Sequence, residues 1–100
     1  MALLKTKELI KELESLPDWE IEGASISKTF QAKDFPNAIL FVSAVAQVAE
    51  KVWHHPDIDI RWNKVRLKLS THDQGGLTIK DFELARLIES LSPRPDSETQ

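Results

Sequence analysis

One stretch, residues 57 to 70, limits what this chain can fold into more than any other. Ile58, Ile60 and Trp62 alternate with Asp57, Asp59 and Arg61, and Val65, Leu67 and Leu69 alternate with Arg66, Lys68 and Ser70. A period of two sends one set to each face of an extended chain, so both segments read as strands with one face against a core. Asn63-Lys64 between them has the length of a two-residue hairpin loop, and Asn suits the first central position of a type I′ turn. With those residues as the loop, Trp62 faces Val65, Ile60 faces Leu67 and Ile58 faces Leu69, which gathers the large apolar residues on one face. Asp59 then faces Lys68, and Arg61 faces Arg66. Continued outward, the same register sets Asp57 against Ser70, Pro56 against Thr71, His55 against His72 and His54 against Asp73.

Helical and strand patterns flank this hairpin. Thr6 reads as an N-cap with Glu8 in the first turn, and Leu9, Ile10, Leu13 and Leu16 follow at helical spacing until Pro17. Trp19 to Ile21 and Ser25 to Gln31 read as strands around a Glu22-Gly23 turn. Asp34 caps a long helix with the stripe Ala38, Val42, Val45, Ala49 and Val52, outside which lie Leu40, Phe41, Ala44 and Val48. A helix apolar on more than one side needs covering on more than one side, by its own domain or by a second subunit. A last helix opens at Thr78, with Asp81 at the capping-box position, a Leu77 to Phe82 staple, and Ala85, Ile88 and Leu91 as its stripe. The order α-β-β-α-β-β-α predicts an α+β fold, a four-stranded antiparallel sheet with three helices packed on one face. Residues 1–92 form the expected single domain, and the polar, proline-broken residues 93–100 a mobile tail.

Several function classes are set aside by composition. The 100 residues carry a formal charge of -3 and no long Lys/Arg block, which argues against nucleic acid or an anionic membrane as partner. The chain has 41% hydrophobic residues but no apolar run long enough to span a bilayer. With no cysteine there is no disulfide, thiolate nucleophile or Cys-based zinc site. The opening MALLKTKELIKELE lacks the parts of a secretory signal, so a cytoplasmic setting is expected.

All three histidines lie in HHPDIDIRWNKVRLKLSTHD, and the hairpin register brings His72 beside His54 and His55. Directly paired residues have Cβ atoms about 5 Å apart. Imidazole both accepts and donates protons near neutrality, so a cleft holding three of them with Asp73 and Glu50 suits general acid-base work. Glu50, four residues before His54, is placed to orient it if the last helical turn persists. Pro56 confines His55 to extended backbone and ends regular pairing. Metal binding is the competing reading, but adjacent histidines before a proline are not a usual ligand spacing, so no metal is expected. Trp62 is expected to pack in the core, Trp53 to line core or pocket, and Gly75-Gly76 to form a simple turn.

Glu50-x-x-x-His54-His55-Pro56, followed after five residues by Trp62, after nine more by His72 and after eight more by Asp81, resembles the pterin-4a-carbinolamine dehydratase family. The likeness runs through nearly the whole chain, from LPDW at Trp19 through DFPNAILF to THDQGGLTIKD. It implies dehydration of 4a-hydroxytetrahydrobiopterin to quinonoid dihydropterin and water, a small pterin substrate, no cofactor, and a homodimer or homotetramer. It also implies a functional link to an aromatic amino acid hydroxylase whose pterin is recycled. By the same resemblance His54, His55 and His72 are the catalytic set with Glu50 orienting the pair, His54 taken as base, His72 as acid and His55 binding the hydroxyl. Trp53, Ser70, Thr71 and Asp73 contact the pterin, with Pro56 and Trp19 as further binding residues. Two other roles compete: a dimerisation cofactor of a transcription factor, acting through the second helix, and service in another pterin pathway.

Overall fold

The computed structural model describes residues 2–93. Its elements run α1 (Thr6–Leu13), β1 (Glu20–Glu22), β2 (Ser25–Gln31), α2 (Phe35–Val52), β3 (Asp57–Arg61), β4 (Lys64–Leu69) and α3 (Ile79–Ser90), with a 3-10 turn at His72–Gln74. The strands form one antiparallel sheet in the order β1-β2-β4-β3. The fold is the predicted α+β arrangement. Apart from Pro93, the expected C-terminal tail lies outside the described residues. No described helix is long and apolar enough to cross a membrane.

Alternation determines which face of the sheet the helices cover. Ile26 and Phe30 of β2 pair with Leu69 and Val65 of β4, and all four are buried together with Leu67. Phe41, Val45 and Ala49 of α2 and Phe82, Leu84, Ala85 and Ile88 of α3 close over them. The opposite face is polar. There Arg66 pairs with Glu22, and Ser27 hydrogen-bonds hold the Glu22 carboxyl below its usual pKa, with Arg66 adding to the effect. In α2 the burial stripe runs through Phe41 rather than Val42 and Val52, so the helix is rolled slightly from the expected face.

Local signals locate most helix ends. The Asp34 side chain accepts from the Asn37 backbone N–H at 2.9 Å, which lowers its carboxyl pKa. In α3 the Thr78 side chain accepts from the Lys80 N–H, and the Asp81 carboxylate reaches back to the Thr78 N–H at 2.9 Å. At α1 the cap is Lys5, whose N–H donates to Glu8, and Thr6 is the first helical residue rather than the cap. The first hairpin turns at Gly23-Ala24, with Gly23 at a φ of 61° and Glu22 paired with Ser25, one residue beyond the expected Glu22-Gly23 turn.

The central hairpin departs from its expected register. Ile60 faces Val65, Ile58 faces Leu67 and Arg61 faces Lys64, so the loop is Trp62-Asn63 rather than Asn63-Lys64. The reason is a tertiary bond that local turn preference does not contain. Asn63 is buried: its backbone carbonyl accepts from Ala32 N–H at 2.8 Å, and its Nδ2 donates to the Ala32 carbonyl at 3.0 Å. These bonds extend the β2-β4 ladder beyond the Gln31–Lys64 pair and force Trp62 into the left-handed region at φ 55°. Trp62 is thus 69% exposed at the turn instead of packed in the core. The slip is two residues, an even number, so each side chain keeps its face. It also gives two opposite-charge pairs, Asp59 with Arg66 and Asp57 with Lys68, in place of the one expected, while the like-charge apposition of Arg61 moves from Arg66 to Lys64 beside the turn.

Candidate functional site

Helix α2 ends in a manner that displays the histidine pair. Trp53 caps it in the left-handed conformation, φ 53° and ψ 50°, and the His54 N–H still donates to the Ala49 carbonyl. The chain then reverses toward Pro56 and enters β3. His54 turns inward and His55 folds back over the last helical turn, so the two adjacent rings meet different partners.

His54 is buried, and its Nε2 lies 2.7 Å from Oδ1 of the fully buried Asp81. The second Asp81 oxygen accepts from Thr71 Oγ1 at 2.8 Å and from the Thr78 N–H at 2.9 Å. Thr71 and Thr78 hydroxyls are 2.8 Å apart and complete the cluster. A carboxylate whose oxygens accept from these donors makes Nε2 the donating nitrogen of His54, which leaves the lone pair of the neutral ring on Nδ1. His55 Nε2 sits 2.6 Å from Glu50 Oε2, and both groups are exposed. Glu50 therefore orients His55, not His54: the helix does not continue through His54, so the i to i+4 geometry expected of that pair is absent.

His72 arrives by a different route from strand pairing. Continued outward, the observed register points His55 toward Ser70, two residues short of His72. The 3-10 turn at His72–Gln74, closed by the Thr71 and Gly76 bridge and by Gly75 at φ 75°, folds His72 back to the cleft. The result is a cleft of about 360 Å³ lined by Trp53, His54, His55, Ser70, Thr71, His72, Asp73 and Lys80. The three histidines do converge, through a turn rather than through the ladder. Trp53 meets the His55 ring edge to face, with centroids 4.9 Å apart.

The remaining residues expected at the site lie elsewhere or are already engaged. Ser70 Oγ donates to the Ala24 carbonyl at 2.8 Å. Pro56 is half-buried beside His55, outside the cleft lining. Trp19 is in the core, edge to face with Phe30, its Nε1 donating to Glu89 at 2.8 Å. Among the described residues no group of three His, Cys, Asp or Glu side chains is arranged to hold a metal ion. The cleft residue Lys80 and the buried partner of His54, Asp81, were not among the site residues expected from the sequence. Asp81 was visible as a helix cap and as the last residue of the family motif, with no role at the site. Lys80 had a signal of its own, since a cation in the first turn of a helix opposes the helix dipole.

Comparison with known proteins bears on the family and the fold. The sequence profile of the family described as "Pterin 4 alpha carbinolamine dehydratase" matches residues 2–91. Proteins named "Putative pterin-4-alpha-carbinolamine dehydratase" from Roseiflexus castenholzii and Nocardia farcinica are 56% and 51% identical over 90 residues each, 90% of this chain and 97% and 95% of theirs. A Brucella melitensis structure described as a transcriptional coactivator/pterin dehydratase superposes with a TM-score of 0.86 at 33% identity, covering 90% of this chain and 98% of that one. A pterin dehydratase-like RuBisCO assembly factor of the alpha-carboxysome, 19% identical with a TM-score of 0.60 over 73% of this chain and 84% of its own, shares the fold. The chain belongs to the pterin-4a-carbinolamine dehydratase family.

Removing the Asp81 carboxylate leaves Thr71 Oγ1, the Thr78 N–H and His54 Nε2 buried without their acceptor. Asp81→Ala is expected to lower the unfolding free energy by about 3 kcal/mol, and Asp81→Asn, which retains the cap acceptor, by about 1 kcal/mol. Urea unfolding measures both, and equal losses would contradict the capping role of the retained oxygen.

Proposed function

We propose that this chain dehydrates 4a-hydroxytetrahydrobiopterin by histidine acid-base catalysis. The C4a–O bond breaks, N5 loses its proton, a C4a=N5 double bond forms, and the products are quinonoid dihydropterin and water. His54 takes the N5 proton on Nδ1, and His72 donates a proton to the departing hydroxyl. Solvent exchange restores both rings. His55, oriented by Glu50, holds the hydroxyl, and Ser70, Thr71, Asp73, Trp53 and Lys80 surround the ring. The observation that carries this reading is the Asp81 contact at His54 Nε2, which reserves the other ring nitrogen for a proton. In this role the enzyme returns pterin to an aromatic amino acid hydroxylase.

A stopped-flow assay of 4a-hydroxytetrahydropterin decay tests the assignment. His54→Ala and His72→Ala are each expected to lose about 10²- to 10³-fold in kcat/KM, the usual weight of a positioned acid or base. Rates equal to wild type for both variants would overturn it.

The chain acts, in the same proposal, as a homodimer or homotetramer. Its support is the apolar surface that α2 leaves outside the core: Leu40 is 67% exposed, with Phe35 and Ile39 beside it. The alternative role of a dimerisation cofactor would use this face and not the cleft. Sedimentation is expected to find an oligomer for wild type and a monomer for Leu40→Lys; oligomers in both would place the contact elsewhere.

A further inference from the structure

Trp53 occupies a position where its residue type is unfavourable and its burial small. A helix that ends in the left-handed region ordinarily does so with glycine or asparagine, because a bulky residue there crowds its Cβ against the backbone. Here the φ of 53° and ψ of 50° belong to a tryptophan that remains 70% exposed. Hydrophobic burial therefore offsets little of the strain. Backbone strain held without compensating packing points to a use for the side chain.

That use follows from where the indole sits. It forms part of the cleft wall with the three histidines, and it stands edge to face with His55 at an interplanar angle of 83°. The same His55 is tethered by Glu50 through Nε2. The cleft's other lining side chains are imidazoles, hydroxyls, a carboxylate and an ammonium, so Trp53 supplies its one broad apolar plane. A flat heterocycle entering the cleft finds hydrogen-bonding groups from several sides and a stacking surface from one.

We propose that Trp53 is the stacking platform for the flat pterin ring, and that the chain keeps a strained tryptophan at this helix end for substrate affinity. The claim rests on the pterin reading above. It makes Trp53 a binding residue, whose loss acts on KM and leaves kcat nearly intact.

Two variants separate stacking from backbone effects. Trp53→Asn keeps a residue that tolerates the left-handed region, and Trp53→Phe keeps the strain and an aromatic plane. Trp53→Asn is expected to raise Tm by about 4 °C as strain is relieved. It is also expected to weaken binding of oxidised pterin about tenfold, with kcat within about twofold of wild type. Trp53→Phe is expected to bind oxidised pterin within about threefold of wild type at an unchanged Tm. Wild-type affinity in Trp53→Asn, or equal weakening in both variants, overturns the stacking role alone. A wild type that binds no pterin and turns none over overturns the proposed function, and this inference with it.

Discussion

The carboxylate of Asp81 ties together parts of the chain that the sheet does not connect. It closes the first turn of α3 through the Thr78 N–H, holds the exit of β4 through Thr71 Oγ1, and fixes the end of α2 through His54 Nε2. Each oxygen is occupied, and the group is fully buried. A buried carboxylate is tolerated only when its acceptor capacity is filled, and filling it here requires α2, β4 and α3 to meet at one point. Structural and chemical roles therefore share one residue: the helix cap and the orienting partner of His54 are the two oxygens of one side chain.

The exposed contact between Glu50 and His55 is of another kind. Both groups face solvent, and such a pair adds little stability. Its consequence is geometric, because it holds one imidazole at the mouth of the cleft while Asp81 holds the other inside. Two adjacent histidines can enter one cleft only because the backbone reverses at Trp53; in a regular strand they would point to opposite faces. The left-handed turn at Trp53 is thus as much a condition of the site as the histidines themselves.

Alternation in β2, β3 and β4 and the stripes of the helices were enough to read the fold, since period and burial are local properties of sequence. The hairpin register was not readable in the same way. Asn63 has the local character of a turn's first central residue, yet its bonds to Ala32, distant in sequence, move the loop by one position and the pairing by two. The faces survived because the shift is even. The convergence of His72 on the pair was expected from pairing and is achieved by the 3-10 turn. Glu50 was expected to serve His54 because helical continuity was assumed across a residue that ends the helix. Asp81 had a sequence signature as a cap, but its contact with His54 joins two helices and exists only in the folded chain. Trp19, expected at the binding site, belongs to the core, where its bond to Glu89 depends on how α3 lies against the sheet.

The central claim is that Asp81 fixes His54 in one orientation and one tautomer, with the proton on Nε2 and the lone pair on Nδ1. Nitrogen-15 NMR of the imidazoles reads this directly in the unliganded protein at a pH where the ring is neutral. The account predicts a protonated Nε2 and an unprotonated Nδ1 for His54, whereas His72, with no such carboxylate partner among the described residues, exchanges between tautomers. A His54 protonated on Nδ1, or averaging between the two forms as His72 does, would contradict it.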